Sequence, residues 1–358
     1  MRVLYWFPAW RRRALLKARR VAVVRTDALG DLILTLPTLA ALRSRLPNAE
    51  LHLICRSYTE PVASAVSCVD KVELIDRVEG GLRAIFRQGR FDVAFFPRAR
   101  PEEVWDAIVA GVPLRVGTAY RVYGLLYNHR VYDHRRQGKF HEAEYGTRQV
   151  GSVLGEEMPT EVPVPAADPV AVRKVRDLLA GAGIPPGTRY LIVHPGTAGN
   201  TIEWSPERYG QAAARLLAGG AVQAVVLTGT ESERGRCEIV AGACPGTISL
   251  CGILNLTELM ALLANASLFM GGSTGPLHLA AALRTPVVGL YPNRDWMSPR
   301  RWRPWTPNAA VLTPPPEGPN PDNMDLISVD QVVNAALELL RSSSPQEVED
   351  GASRPGAR

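Results

Sequence analysis

The segment GGSTGPLHLAAAL (residues 271–283) follows the apolar run ASLFM (266–270), and this pair decides the fold. An apolar run, a turn of small residues and an apolar helical pattern are typical of a strand–turn–helix unit. The glycines let the backbone approach a ligand closely, and Pro276 suits the first helical turn because it lacks an N–H group. Free amides at a helix start favour an anion. The turn therefore indicates either a phosphate site or a tight turn with a helix-packing His278.

Both halves of the chain repeat this alternation of strands and helices. The first half opens with VAVVRTDALGDLILTLPTLAAL (21–42), which predicts a buried strand, a turn over 27–31 and a helix over 32–46. Further strands are predicted at 51–55, 71–75, 91–96, 189–194, 224–229 and 286–291. The pattern predicts an α/β protein with two Rossmann-like domains, each built on a parallel sheet, facing each other across a central cleft.

Composition changes mark the domain boundaries. Four prolines and three glutamates in residues 156–169 predict an exposed linker. We therefore expect an N-terminal domain over 21–160 and a C-terminal domain over 170–327. We also expect a helix over 328–341 and, because residues 342–358 are polar and rich in Ser, Pro and Gly, a disordered tail.

Charge and cysteine content limit the class of protein. The 358 residues carry a formal charge of +6, and the first 20 hold seven basic residues and no acid. This basic leader, with its aromatic residues, predicts either a disordered segment or contact with an anionic membrane face. The five cysteines form no CxxC pair, so we expect a reduced, cytoplasmic protein without a metal site. No apolar run is long enough for a transmembrane helix, and no nucleic-acid recognition motif occurs.

A Gly-Asp pair, Gly30 and Asp31, lies where the first predicted strand meets its helix. A carboxylate there has two interpretations: a helix N-cap, or a catalytic group that faces the predicted cleft. Asp27, three residues before Gly30, is the second candidate and also fits a turn.

Four segments in the same order resemble glycosyltransferase family 9, the heptosyltransferases of lipopolysaccharide core assembly. They are VVRTDALGDLILTLPTLAAL, HPGTAGNTIEWSPERYGQAAARLL, GGSTGPLHLAAAL with the following TPVVGLYPN, and SPRRWRPW. The segment KFHEAEYGTRQVGSVLG (139–155) also resembles the family's His-Glu segment. The resemblance spans residues 21 to about 305 and implies the GT-B fold, with two Rossmann-like domains.

The resemblance implies an inverting transfer of a heptose-like sugar from an ADP-linked nucleotide-sugar donor, with no bound cofactor. Asp31 would be the general base, beside Asp27 and Gly30 on the acceptor-side turn. The acceptor would be lipid-linked or a lipopolysaccharide core sugar, which places the protein in the cytoplasm or at its membrane face through residues 1–20. The residues implied at the donor site are Thr197, Leu254, Ser273, Thr274, Gly275, Pro276 and His278. Either Glu231 or Glu233 would hold the ribose.

Two positions depart from the family pattern. Ser273 stands where the family usually has Asp, and Ile202 stands where many members have Lys. One of Arg294, Arg300 and Arg301 could supply the missing charge, since guanidinium groups bind phosphate in a bidentate manner. The departures leave two alternatives: a catalytically degenerate nucleotide-sugar-binding paralogue, and a sugar-nucleotide epimerase of the same architecture.

Overall fold

The computed structural model describes residues 9–197, 199, 201–294, 297–315 and 322–343, with the side chain of Arg136 excepted. The chain forms two α/β domains. The strands of the first are β1 (Arg20–Val24), β2 (Glu50–Cys55), β3 (Lys71–Leu74), β4 (Val93–Phe95), β5 (Leu114–Thr118) and β6 (His129–Val131). Its helices are α1 (Ala9–Leu16), α2 (Leu29–Ile33), α3 (Leu36–Arg45), α4 (Glu60–Ala63), α5 (Gly81–Gly89), α6 (Pro101–Val109) and α7 (Glu142–Leu154).

The second domain repeats this plan. Its strands are β7 (Tyr190–His194), β8 (Ala224–Leu227), β9 (Ile248–Ser249), β10 (Leu268–Gly272), β11 (Val287–Leu290) and β12 (Ala309–Leu312). Its helices are α8 (Pro169–Gly181), α9 (Pro206–Ala218), α10 (Arg234–Ala243), α11 (Leu256–Ala264), α12 (Gly275–Ala282), α13 (Pro299–Trp302) and α14 (Val329–Ser343).

Each domain contains a parallel six-stranded sheet. The strand orders are β3-β2-β1-β4-β5-β6 and β12-β11-β10-β7-β8-β9, which are the same order read from opposite edges. This is the doubly wound order of dinucleotide-binding domains, so the predicted pair of Rossmann-like domains is confirmed. Alternate residues of β1 face two separate apolar layers: Val21 and Val23 face one, and Ala22 and Val24 face the other. Helices therefore cover both faces of the sheet.

The helix predicted over 32–46 is wrong as a single element. The structure has α2 and then α3, which begins at Leu36 with Pro37 in its first turn. Proline has no N–H group to continue a preceding helix, so the chain restarts there. As a result Asp31 lies inside α2 rather than at the end of the predicted turn. Strands β5, β6, β9 and β12 were not predicted; all four contain five residues or fewer and stand at or near a sheet edge.

Part of the predicted leader and the first two residues of the predicted tail are helical. Residues 9–16 of the basic leader form α1, which buries Leu15 and packs on α7, where Arg12 Nε donates to the Leu154 carbonyl at 3.1 Å. Helix α14 continues to Ser343, past the predicted start of the tail at residue 342. Residues 1–8 and 344–358 of the predicted leader and tail lie outside the described residues.

The two domains share an apolar contact. Helix α4 packs against α11, α2 packs against α12, and one apolar cluster contains buried residues of both domains. The linker adds polar contacts, because the Trp305 indole donates to the Thr160 carbonyl at 2.9 Å. No helix in the described part of the chain has the length and apolar character needed to cross a bilayer. All five cysteines are buried free thiols.

Candidate active site

Asp31 lies in the first turn of α2 and is held by a buried arginine. The N-cap of α2 is Ala28, so the N-cap interpretation of Asp31 is wrong. The Arg25 guanidinium donates to the Asp31 carboxylate instead. The Asp31 side chain is 13% exposed, which leaves it accessible to a reactant. Burial raises the pKa of Asp31, Asp27 and Glu142 raise it further, and Arg25 opposes them. A carboxylate with a raised pKa is suited to accept a proton.

Arg25 directly follows β1 and is the centre of this charge cluster. Its side chain is almost fully buried and forms ion pairs with Asp27 at 2.9 Å and with Glu142 at 3.6 Å, in addition to Asp31. Burial works against its charge, but these three carboxylates raise the pKa of Arg25 overall. Sequence reasoning missed Arg25, although a charged residue at the end of the apolar strand VAVV was a usable signal.

Glu142 is the second residue that forms several buried ion pairs, and these pairs connect the two domains. It is the first residue of α7, and its carboxylate accepts from Arg135 of the same domain. Arg301, on α13 of the C-terminal domain, donates to the same carboxylate at 2.9 Å. Burial alone would raise the pKa of Glu142, but Arg135, Arg25 and Arg301 lower it to about 2. Glu142 is therefore ionised at neutral pH and holds Arg301 against the N-terminal domain.

Tyr58 and Arg98 both contact Asp27, beside Asp31, and sequence reasoning missed both. The Tyr58 hydroxyl donates to the Asp27 carbonyl, and burial together with Asp27 and Asp31 raises its pKa. Arg98 pairs with the Asp27 carboxylate at 3.6 Å and is exposed. A hydroxyl and a guanidinium at the edge of the carboxylate pair can bind polar groups of an acceptor.

The turn before α12 has the predicted form. Strand β10 ends at Gly272, Thr274 is the N-cap in an extended conformation, and Pro276 lies in the first turn. The Thr274 side chain makes no cap hydrogen bond to the helix; its hydroxyl donates to the Gly272 carbonyl at 3.3 Å. The first amides of α12 are thus left without a side-chain cap, as an anion site requires.

His278 is buried one turn into α12, at the contact with α2. A Cβ atom on Gly30 would be 2.8 Å from His278 Cδ2, so only a glycine lets the two helices approach this closely. Gly275 contacts Leu29 in the same way. Burial, reinforced by His141, lowers the pKa of His278 to about 3, and its Nδ1 has no hydrogen-bond partner among the described residues. A neutral imidazole whose Nδ1 has no partner among the described residues therefore lies where the start of α12 meets α2, the helix that carries Asp31.

Thr197 lies beside this turn. A Cβ atom on Gly272 would be 3.2 Å from the Thr197 methyl group, which brings Thr197 and the β10–α12 turn together. The Thr197 hydroxyl donates to Glu203 at 2.7 Å, and Glu203 in turn accepts from Arg236 at 2.9 Å. Thr197 thus reaches the predicted position, with its hydroxyl engaged by a neighbouring carboxylate.

The other residues predicted for the donor site differ in whether their side chains already contact other residues. Burial raises the pKa of Tyr291 and the neighbouring Ser273 side chain opposes this, so Ser273 lies beside the Tyr291 hydroxyl. Leu254 is half-buried at the edge of the apolar cluster. Glu233 accepts from the Thr230 amide at 2.8 Å, which occupies it as a helix cap. Glu231 is exposed and pairs with Arg234, and a Cβ on Gly252 would be 2.3 Å from its carboxylate.

Arg294 and Arg301, predicted to compensate for the lysine missing at position 202, are already engaged in ion pairs. Arg294 donates to Asp322, and Arg301 is paired with Glu142. Arg300 is exposed on α13. Ile202 packs against the apolar core of the C-terminal domain, so a family-type lysine side chain at this position would have to reorient to reach the turn. Within the described residues, no group of three His, Cys, Asp or Glu side chains has the arrangement of a metal site.

Comparison with known proteins agrees with this geometry. The model of glycosyltransferase family 9 (heptosyltransferase) matches residues 108–328. The chain therefore belongs to glycosyltransferase family 9, and it is a glycosyltransferase rather than an epimerase of the same architecture. A Haemophilus influenzae protein with the provisional name of a glycosyltransferase is 29% identical over 351 residues, covering 89% of this chain and 95% of the relative. Lipopolysaccharide heptosyltransferase 3 of Escherichia coli K12 is 26% identical over 301 residues, covering 78% and 83%.

Solved structures support the fold. A family 9 glycosyltransferase from Veillonella parvula has a TM-score of 0.79 at 19% identity, covering 91% of this chain and 98% of its own. Escherichia coli ADP-heptose lipopolysaccharide heptosyltransferase II has a TM-score of 0.76 at 20% identity, covering 90% and 99%. The Escherichia coli heptosyltransferase WaaC, solved with ADP, has a TM-score of 0.69 at 19% identity, covering 89% and 99%. The two-domain GT-B architecture is therefore confirmed.

Proposed function

We propose that this glycosyltransferase moves a heptose-like sugar from an ADP-linked donor to a lipid-linked or lipopolysaccharide core saccharide, with inversion at the anomeric carbon. The acceptor binds the N-terminal domain beside Asp27, Gly30 and Asp31, and the donor binds the C-terminal domain. The reaction takes place in the cytoplasm, at the inner membrane face where such an acceptor is held.

One observation carries the proposal: the Asp31 carboxylate has a raised pKa and stands in the helix that packs directly on α12. The carboxyl ends of the central strands β1 and β10 lead into these two helices. In doubly wound sheets ligands bind at this end of the strands. The proposed base of one domain therefore faces the proposed anion-binding helix start of the other. Sugar transfer between two substrates requires such an arrangement.

In the proposed step, the acceptor hydroxyl oxygen attacks the anomeric carbon of the donor and its proton passes to Asp31. The bond from that carbon to the β-phosphate oxygen breaks, and ADP leaves with the electron pair. Arg25 fixes the orientation of the Asp31 carboxylate. The amides at the start of α12, with Thr274 and the neutral His278, stabilise the charge that develops on the diphosphate.

The choice of ADP rests on relatives. WaaC has been solved with ADP and with ADP-2-deoxy-2-fluoro heptose, and heptosyltransferase II is named for ADP-heptose. In this chain the half-buried Leu254 offers an apolar contact for a base. The exposed Glu231 is better placed than the capped Glu233 to accept from ribose hydroxyls, because its carboxylate is held only by Arg234 at the surface.

The second candidate is a catalytically degenerate paralogue that binds a nucleotide sugar. The inward packing of Ile202 and the ion pairs of Arg294 and Arg301 favour it, since they leave the diphosphate fewer cations. Turnover separates the two candidates, because the paralogue binds ADP without catalysing transfer.

Asp31→Asn tests the mechanism. Loss of a positioned base costs about a hundredfold or more in kcat, while affinity for ADP, measured by calorimetry, stays within about twofold because Asp31 lies in the acceptor domain. Asp27→Asn is the matched control, since it removes a neighbouring carboxylate that also pairs with Arg25. If Asp31→Asn keeps a tenth of wild-type turnover with ADP-heptose, Asp31 is not the base.

A further inference from the structure

A short 3₁₀ helix, Val122–Leu126, follows β5 and presents two apolar side chains to solvent. Val122 is 94% exposed and Leu125 is 73% exposed. Side chains three residues apart in a 3₁₀ helix lie on the same side, so both point outward together. The backbone holds them there: the Gly124 amide donates to the Arg121 carbonyl at 2.7 Å, and the Tyr123 hydroxyl donates to the Ala99 carbonyl at 2.6 Å.

Aromatic side chains extend this exposed patch. Tyr120 and Tyr132 are exposed and pack edge to face, with ring centroids 6.3 Å apart. Helix α6 packs against the 3₁₀ helix and carries the exposed Trp105. We call this set the β5–β6 surface; it consists of Trp105, Tyr120, Val122, Leu125 and Tyr132. Exposed apolar groups gathered on neighbouring elements in this way favour an interaction site, and Tyr and Trp suit a boundary between water and an apolar phase.

The segment that carries the 3₁₀ helix is basic: residues 115–139 contain six basic residues and one acid, and that acid, Asp133, pairs with Arg148 at 2.7 Å. Arg135 of this segment is buried against Glu142, and α6 adds the exposed acid Glu102. Arg121 and Arg130 are exposed beside the apolar groups. Helix α1 packs near β5 and adds its basic side chains, since Arg130 helps to lower the pKa of Arg11. An apolar tip within a basic surround is complementary to an anionic bilayer.

The β5–β6 surface lies at the carboxyl end of β5, the same edge of the parallel sheet at which β1 leads to Arg25 and Asp31. A saccharide anchored in a bilayer at this surface would therefore project along the rim towards the catalytic carboxylate. Arg98, which pairs with Asp27, stands on the segment between β4 and α6 that leads to Trp105.

We propose that the β5–β6 surface docks the protein on an anionic bilayer: Val122 and Leu125 enter the head-group region, and the basic residues of the loop and of α1 contact lipid phosphates. This goes beyond the proposed function, because vesicle binding requires neither donor nor transfer. It also gives α1 an electrostatic role, with insertion assigned to the 3₁₀ helix.

The test is co-sedimentation of the full chain with vesicles of phosphatidylcholine containing 30% phosphatidylglycerol. The double variant Val122→Ser with Leu125→Ser should bind the vesicles at least about tenfold more weakly, because neither position then buries an apolar side chain in the interface. The matched control, Val170→Ser with Ile239→Ser, changes two exposed apolar residues of the C-terminal domain and should bind as wild type. Arg121→Gln with Arg130→Gln should weaken binding more at low salt than at high salt.

Three results would overturn the proposal. The first is unchanged vesicle binding by the Val122/Leu125 variant. The second is wild-type binding that is equal on vesicles with and without phosphatidylglycerol. The third is that the wild-type chain is a dimer in lipid-free buffer whereas the Val122/Leu125 variant is a monomer, since the surface would then be an interface between copies. Circular dichroism and ADP calorimetry on each variant separate these results from loss of the fold or of the donor site.

Discussion

Replacing Glu142 by Gln removes the charge that three arginines share. Arg25, Arg135 and Arg301 all face this carboxylate, and its side chain is almost fully buried. Glutamine keeps the size of the side chain but leaves the buried guanidinium groups without their common counter-ion. Removing one partner of a buried ion pair is strongly destabilising, because the remaining charge is not solvated. We therefore expect Glu142→Gln to destabilise the protein and to loosen α13 from the N-terminal domain.

The magnitude follows from the pKa of Glu142. Lowering it from 4.5 to about 2 corresponds to about 3 kcal/mol of stabilisation at neutral pH, at about 1.4 kcal/mol for each pH unit. Because the pKa is lowered on folding, this stability is present above the pKa of the unfolded chain and is lost as pH falls from about 4.5 towards 2. The difference between wild type and variant should therefore be about 3 kcal/mol at pH 7 and about half of that near pH 3.

Urea unfolding at pH 7 and at pH 3, followed by tryptophan fluorescence, measures this difference. Glu156→Gln is the control: it makes the same chemical change in an exposed pair with Arg45 at 2.9 Å, which should contribute at most about 1 kcal/mol. Arg301→Gln removes only the interdomain partner and should give an intermediate loss. The reasoning fails if Glu142→Gln is no worse than Glu156→Gln at pH 7, or if its deficit is the same at both pH values.

Three further outcomes are expected. The acid limb of the kcat/KM pH profile should lie above the ordinary pKa of an aspartate, since Asp31 must be ionised to act as base and its pKa is raised. Because Asp27 contributes to that raised pKa, Asp27→Asn should move the acid limb to lower pH. A limb that does not move would show that Asp27 does not influence the pKa of Asp31. Gly30→Ala should cost about 1–3 kcal/mol in thermal unfolding because its Cβ would be 2.8 Å from the buried His278, whereas Gly181→Ala, which meets no atom within 4 Å, should be neutral or stabilising. Thr274→Val should weaken ADP binding by about 1–3 kcal/mol in calorimetry, and an unchanged Kd would exclude Thr274 from the donor site.

The fold was predictable because its central strands are strong local signals. The runs at β1, β7 and β10 are apolar and followed by small-residue turns, so both their type and their position emerge from periodicity. The edge strand β6 has three residues, one of them the exposed Arg130, and carries no such pattern. The division between α2 and α3 depends on Pro37, which was visible in the sequence but was outweighed by the helical periodicity around it.

The candidate site was predictable where a residue is adjacent to a turn and unpredictable where it depends on distant charges. Asp31 follows a strand of the first sheet, and Thr274 and His278 follow a strand of the second. In each parallel sheet, topology alone brings such positions to the carboxyl ends of the strands. Glu142 could not be assigned a role, because its arginine partners lie up to 159 residues away in the chain. The pairing of Arg301 with Glu142, instead of with a phosphate, is likewise set by tertiary structure.

The apolar cluster that runs through both domains limits how the protein can be recombined. Leu29 contacts Gly275 and Gly30 contacts His278, so the surfaces of α2 and α12 are fitted to each other at the level of single methyl groups. A chimera that joined this N-terminal domain to the C-terminal domain of a relative with a larger residue at either glycine would place two helices in steric conflict. If the donor binds the C-terminal domain as proposed, its specificity is better altered by exchanging the segments 228–233 and 252–255, which are not among the residues of this contact, than by exchanging whole domains.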